Sequence, residues 1–186
     1  MSKAFTREND DAPDPESAPR PRAVSLPPGT RNYITADGAA AFREELNRLI
    51  QDERPRWVGA ADPESRARLD AVESRIRELD RILRTAVVPR PPPAHDDRVR
   101  FGAWVAVVDG EGTKSQYRIV GVDEADPDRG WISWISPLAR ALIGSRVGDR
   151  VPVMTPDGEA RVELLKVSPA GGSTDGGTRS WTTEAS

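Results

Sequence analysis

The chain has 186 residues, 37% hydrophobic and 31% charged, with a formal net charge of −3. This balance gives no global basic field of the kind duplex nucleic acid selects. The absence of cysteine leaves no disulfide framework and no thiolate metal site. No apolar run approaches the roughly 18 residues of a membrane span, and the N-terminal MSKAFTRENDDAPDPE carries charges where a signal peptide needs an apolar core. A cytoplasmic protein is expected.

Residues 1–30 are acidic, proline-rich and without hydrophobic period, and residues 169–186 are of similar quality. Neither can bury enough apolar surface to offset its ordering entropy, so both read as disordered tails, with Trp181 an unpacked aromatic. The first ordered signal is Tyr33-Ile34-Thr35, with Thr35 an N-cap and Asp37 in the first turn. Phe42, Leu46, Leu49 and Ile50 then recur at helical spacing, with Trp57 beyond, which predicts a helix over about 36–61 that Pro55 kinks or perturbs.

Asp62-Pro63-Glu64-Ser65 reads as a hairpin tip, in which Asp62 caps a second helix and Pro63 takes its first position. That helix carries Leu69, Val72, Ile76, Leu79, Leu83 and Ala86 in alternating steps of three and four, a heptad seam. A short tip forces the two helices antiparallel, so residues 33–88 are expected to form a coiled-coil hairpin. Its outer faces are rich in arginine interleaved with acids. They fit a solvated face laced with i,i+4 pairs, or a face that steers along a phosphate-rich channel.

Pro89-Arg90-Pro91-Pro92-Pro93 opens a stiff linker over 89–96. His95, the single histidine, has no second histidine or activated nucleophile to work with. From residue 97 to 168 the pattern turns to strands: VRFGAWVAVVD, SQYRIVGV, WISWI, RVPVMT and EARVELLKV. A short helix over 137–143 interrupts them, and DGEG (109–112) and Pro156-Asp157-Gly158 supply hairpin turns. The fold class is therefore α+β, with an N-terminal antiparallel hairpin followed by a small antiparallel sheet domain carrying one short helix.

The string WISWISPLARALIGSRVGDRV (131–151), with QYRIVGVDEAD, VRFGAWVAV, NYITADG and ERPRW, resembles the Gre transcription elongation factors, GreA and GreB. The resemblance covers roughly residues 32–167. It implies an FKBP-like fold for the sheet domain and RNA polymerase as partner, the factor acting at the secondary channel. In that family a loop at the Ser-Pro docks on a coiled coil of the largest subunit. Here it comprises Trp134, Ile135, Ser136, Pro137 and Leu138. Trp134 and Leu138 fit a core position equally well.

The resemblance also implies acidic residues at the hairpin tip that help the polymerase hold a second Mg²⁺ and cleave backtracked RNA, chemistry for which carboxylates on a hard cation are suited. The family's tip reads like G-D-x-x-E-N-A-E-Y. This chain lacks that string and about two heptads around it, which shortens the hairpin by about 10 Å. The remaining tip acids, Asp62 and Glu64, can offer carboxylates or simply cap and complement the second helix.

No phosphate loop, metal-ligand spacing or nucleophile elbow is visible, so no catalytic residue, resident metal or cofactor is expected, and the chain is not itself read as an enzyme. The function expected is that of a monomeric Gre-type factor that modulates elongation with weak or no cleavage stimulation, touching nascent RNA at most indirectly. The alternative is a short-hairpin regulator of the Rnk type that occupies the channel without cleavage. An FKBP-like prolyl isomerase ranks below both, because no isomerase residue set can be assigned.

Overall fold

The computed structural model describes residues 26–59, 61–90, 97–155 and 158–169. Most of the two expected tails, the linker residues 91–96 with His95, the turn residues 156–157, and Trp181 lie outside the described residues.

Strand β1 (Asn32–Tyr33) leads into helix α1 (Ala36–Arg48), capped by Thr35, whose side-chain oxygen accepts from the Gly38 N–H at 3.0 Å. The helix does not run on regularly to 61. Pro55 has no N–H to give, and its ring collides with the preceding turn of a regular helix. The chain answers upstream with a π-helical turn at Leu49–Glu53, where the Arg54 N–H reaches back five residues to the Leu49 carbonyl. A short helix, α2 (Arg54–Trp57), follows and stops at the extended Val58. The wide turn also rephases the apolar stripe. Leu49 stays buried, whereas Ile50, expected in the seam, is 40% exposed.

Helix α3 (Pro63–Thr85) begins as its local sequence dictates, with the Ser65 N–H donating to Asp62 Oδ1 at 2.8 Å. It ends at Thr85, one residue short of Ala86, the last position of the expected seam. Ala86 and Val87 leave the helix as strand β2 and pair in parallel with β1, Asn32 opposite Ala86 and Tyr33 opposite Val87. The β-branched Val87-Val88 and the following Pro89 favour this extended exit. Along α3, Leu69, Val72, Ile76 and Leu83 are half-buried. Full burial occurs only at Leu79 and at Ile82, a residue outside the expected seam, which packs with Ile34 and Ala39 at the base of the hairpin. Between the two arms Arg75 grips Glu45 with two nitrogens, at 2.8 and 3.0 Å, and Arg54 reaches Glu73 at 3.2 Å.

The second half is a five-stranded sheet of β3 (Trp104–Asp109), β4 (Lys114–Val120), β5 (Trp131–Ser133), β6 (Arg150–Thr155) and β7 (Gly158–Ser168), in the order β5-β4-β3-β7-β6. The expected all-antiparallel arrangement needs correction, because β5 lies parallel to β4. Two 3₁₀ turns, Val122–Glu124 and Pro127–Arg129, carry the chain back along the sheet before it re-enters, so the third strand runs in the same direction as the second. A bulge in the β3–β7 ladder leaves Leu165 without an opposite residue, and its side chain is 37% exposed.

The short helix α4 (Pro137–Leu142) presses Ala139 and Leu142 into a core of Val99, Val105, Val107, Ile119, Val151, Val153 and Leu164. Each fully buried leucine here contributes about 2 kcal/mol of apolar burial. Among the described residues, no helix is long and apolar enough to cross a membrane.

Candidate functional site

At the hairpin tip, both candidate acids already have local partners. Asp62 caps α3, and the Ser65 N–H holds its carboxyl below the ordinary aspartate value. Glu64 pairs with Arg68 one turn along, at 2.7 Å. The Arg68 guanidinium in turn lies 5.0 Å from the centre of the half-buried Trp57 ring, joining the two arms near the tip. Among the described residues, no group of three or more His, Cys, Asp or Glu side chains is gathered as a metal site would need.

The Ser-Pro loop has a cap of its own and a seat on the sheet core. Ser136 caps α4, its hydroxyl accepting from the Ala139 N–H at 3.2 Å while its own N–H donates to the Ser133 carbonyl at 2.9 Å. Pro137 takes the first helical position and is exposed, a place where its missing N–H costs nothing. Ile135, just before Ser136, is half-buried. Leu138 and Trp134 are half-buried and pack on the sheet core, so of the five residues these two are the most committed to the interior. Trp134 also meets the edge of Tyr33, from the entry to the hairpin, at 5.5 Å between ring centres. Beyond α4, Ile143 and Val147 are exposed.

A third constellation, at the junction of hairpin and sheet, is absent from the sequence reading. Glu124, only 7% exposed, ends the 3₁₀ turn after β4. Its carboxylate accepts from the Thr35 N–H at 2.8 Å, from the Gly121 N–H at 2.9 Å and from the Thr35 hydroxyl. Alongside, Asn32 donates to Asp123 at 2.8 Å, and Arg118 pairs with Asp37 at 2.5 Å. The Arg118 side chain is buried among the faces of Trp104 and Trp131, at 5.9 and 5.3 Å, and Arg129 stacks on the outer side of Trp131 at 3.7 Å. One sequence signal was available: Gly38 stands among the opening residues of a helix, although glycine is a poor helix former, by about 1 kcal/mol against alanine in a helix interior. The partner it serves, 86 positions away in the chain, carries no local mark.

The family model for the GreA/GreB transcription elongation factor C-terminal region matches residues 94–169. The chain is 39% identical over 153 residues to transcription elongation factor GreB of Neisseria meningitidis serogroup A, covering 74% of this chain and 94% of the relative. It is 40% identical over 151 residues to GreB of Yersinia pestis, covering 73% and 88%. With GreA of Alkalilimnicola ehrlichii it shares 41% identity over 150 residues, covering 72% and 95%. A solved structure of GreA factor homolog 1 from Thermus thermophilus is similar at 23% identity with a TM-score of 0.36, covering 75% of this chain and 99% of that one. With relatives near 40% identity along almost their whole length, this chain belongs to the GreA/GreB family of transcription elongation factors.

Proposed function

We propose that the protein binds RNA polymerase and modulates transcript elongation from the secondary channel, with weak or no stimulation of RNA cleavage. The observation that carries this reading is a contrast within the molecule. The Ser-Pro loop is complete and locked by the Ser136 cap, while the tip acids are spent on the local structure of α3. In this reading Ile135, Ser136 and the exposed Pro137 contact the polymerase. Trp134 and Leu138 support the loop from beneath.

The Mg²⁺ that the family's cleavage chemistry involves does not fit the tip as built. Only two exposed carboxylates stand there, each with one oxygen already accepting a local bond, and among the described residues no third metal-binding side chain is gathered with them. The chain then acts as a monomeric steric element rather than an enzyme. The Rnk-type alternative shares this partner and is favoured by the same tip.

The test uses core polymerase and stalled, backtracked complexes. The purified chain should bind core enzyme without accelerating cleavage, and substituting Ser136→Glu with Pro137→Arg should weaken binding, because unpaired charges are costly to desolvate in an interface. Acceleration of cleavage that Asp62→Asn with Glu64→Gln abolishes would overturn the tip reading. Unchanged affinity after the loop substitutions would overturn the docking assignment.

A further inference from the structure

We infer that Glu124 is a positioning residue that sets the angle of the helical hairpin on the sheet domain, acting as a second N-cap to α1 supplied from across the junction. The Gly38 N–H donates to Thr35 Oγ1, and the Thr35 hydroxyl donates to Glu124 Oε1, so the first turn of α1 is tied through one hydroxyl to the sheet domain. Glu124 Oε2 gathers the Thr35 and Gly121 N–H groups, one from each side of the junction. A negative charge placed there also complements the positive end of α1.

The fit has no slack. A Cβ on Gly38 would stand 1.9 Å from Glu124 Oε1, and one on Gly121 would stand 2.3 Å from the Tyr33 carbonyl oxygen and 2.7 Å from Glu124 Oε2. The two glycines thus exist as clearance for the carboxylate and for the backbone beside it. Asn32–Asp123 and Asp37–Arg118 flank the contact, so residues 32–38 meet residues 118–124 through three separate polar links.

The consequence is leverage. From Ala36 to Trp57 the first arm spans about 33 Å, so about 10° of freedom at the base displaces the tip by about 6 Å. Whatever the hairpin reaches for, Glu124 decides where it points. This placement holds whether or not the chain acts on polymerase.

The chain has no cysteine, so a spin-label pair at Arg66→Cys near the tip and Lys166→Cys on the exposed face of β7 is specific. Pulsed dipolar distances should give one narrow distribution in the parent. In Glu124→Ala, and in the equal-sized Glu124→Gln should the alanine variant fail to fold, the distribution should broaden by about 6 Å. Gly38→Ala should broaden it as well, because it expels the carboxylate without deleting a hydrogen-bonding group. Amide protection in β3, β4 and β7 should persist throughout. A parent-like distribution in the Glu124 variants and Gly38→Ala would overturn the inference, and so would loss of sheet protection in Glu124→Gln, since the carboxylate would then serve the sheet itself rather than the angle.

Discussion

The two ends of the hairpin use the same chemical group to different effect. At the tip, Asp62 and Glu64 stand in solvent, and each serves the helix it sits on. At the base, Glu124 is buried, holds three donors and joins segments far apart in the chain. Water competes for every bond at the tip and screens its charges, whereas at the base a lost partner stays lost. A carboxylate's worth is therefore set by its burial and by how many donors are committed to it. The apolar residues of α3 show the same gradient, half-buried at Leu69, Val72 and Ile76 and sealed only at Leu79 and Ile82 toward the base.

The largest effect should come from cutting the sealed end. Ile82→Ala is expected to cost about 2–5 kcal/mol in urea unfolding, since the residue is packed with Ile34 and Ala39 and its site has little room to collapse. Leu69→Ala, on a half-buried turn nearer the tip, should cost distinctly less. Equal losses at the two positions would erase the contrast between base and tip.

A smaller effect is expected at the cap. Asp62→Ala removes the acceptor for Ser65 and should lower the thermal midpoint modestly. Its pH dependence has a definite sign. The carboxyl is held below the ordinary 3.8 in the folded chain, chiefly by the Ser65 N–H, so its contribution is present above 3.8 and is lost as pH falls through the lower folded value. The gap between the parent and Asp62→Ala should hold steady above about pH 5 and narrow below 3.8. A gap that widens on acidification would contradict the capping geometry.

Smallest of all, Glu64→Gln breaks an exposed i,i+4 pair with Arg68 and should change stability by no more than about 0.5 kcal/mol, less in high salt. A larger loss would mean that the Glu64–Arg68–Trp57 cluster holds the arms together, making the tip more like the base than its exposure suggests.

What could be read from the sequence was whatever is decided within a few residues. The caps at Thr35 and Asp62 were legible because a short polar side chain before a helix finds its donor two or three positions on. Strand patterning, the short helix after the Ser-Pro, and the antiparallel course of the two long helices follow from period and from a short connection. Among the candidate site residues, the local signals reached only the Asp62 cap; the tip acids and the Ser-Pro loop were singled out by the family resemblance.

Tertiary structure decided the rest. Pro55 announced a disturbance, but whether it would be a kink or a π turn, with Ile50 turned outward, depended on how α1 packs against α3. Ala86 leaves the helix for a parallel strand because Asn32 is there to receive it. The third strand of the sheet runs parallel to the second because the 3₁₀ turns between them complete a crossover. Glu124 gains its role only when a turn 89 positions from Thr35 folds against it. Local hydrogen bonds need only a few dihedral angles, which short strings specify; contacts across the chain need the whole fold, and no string of a few residues encodes that.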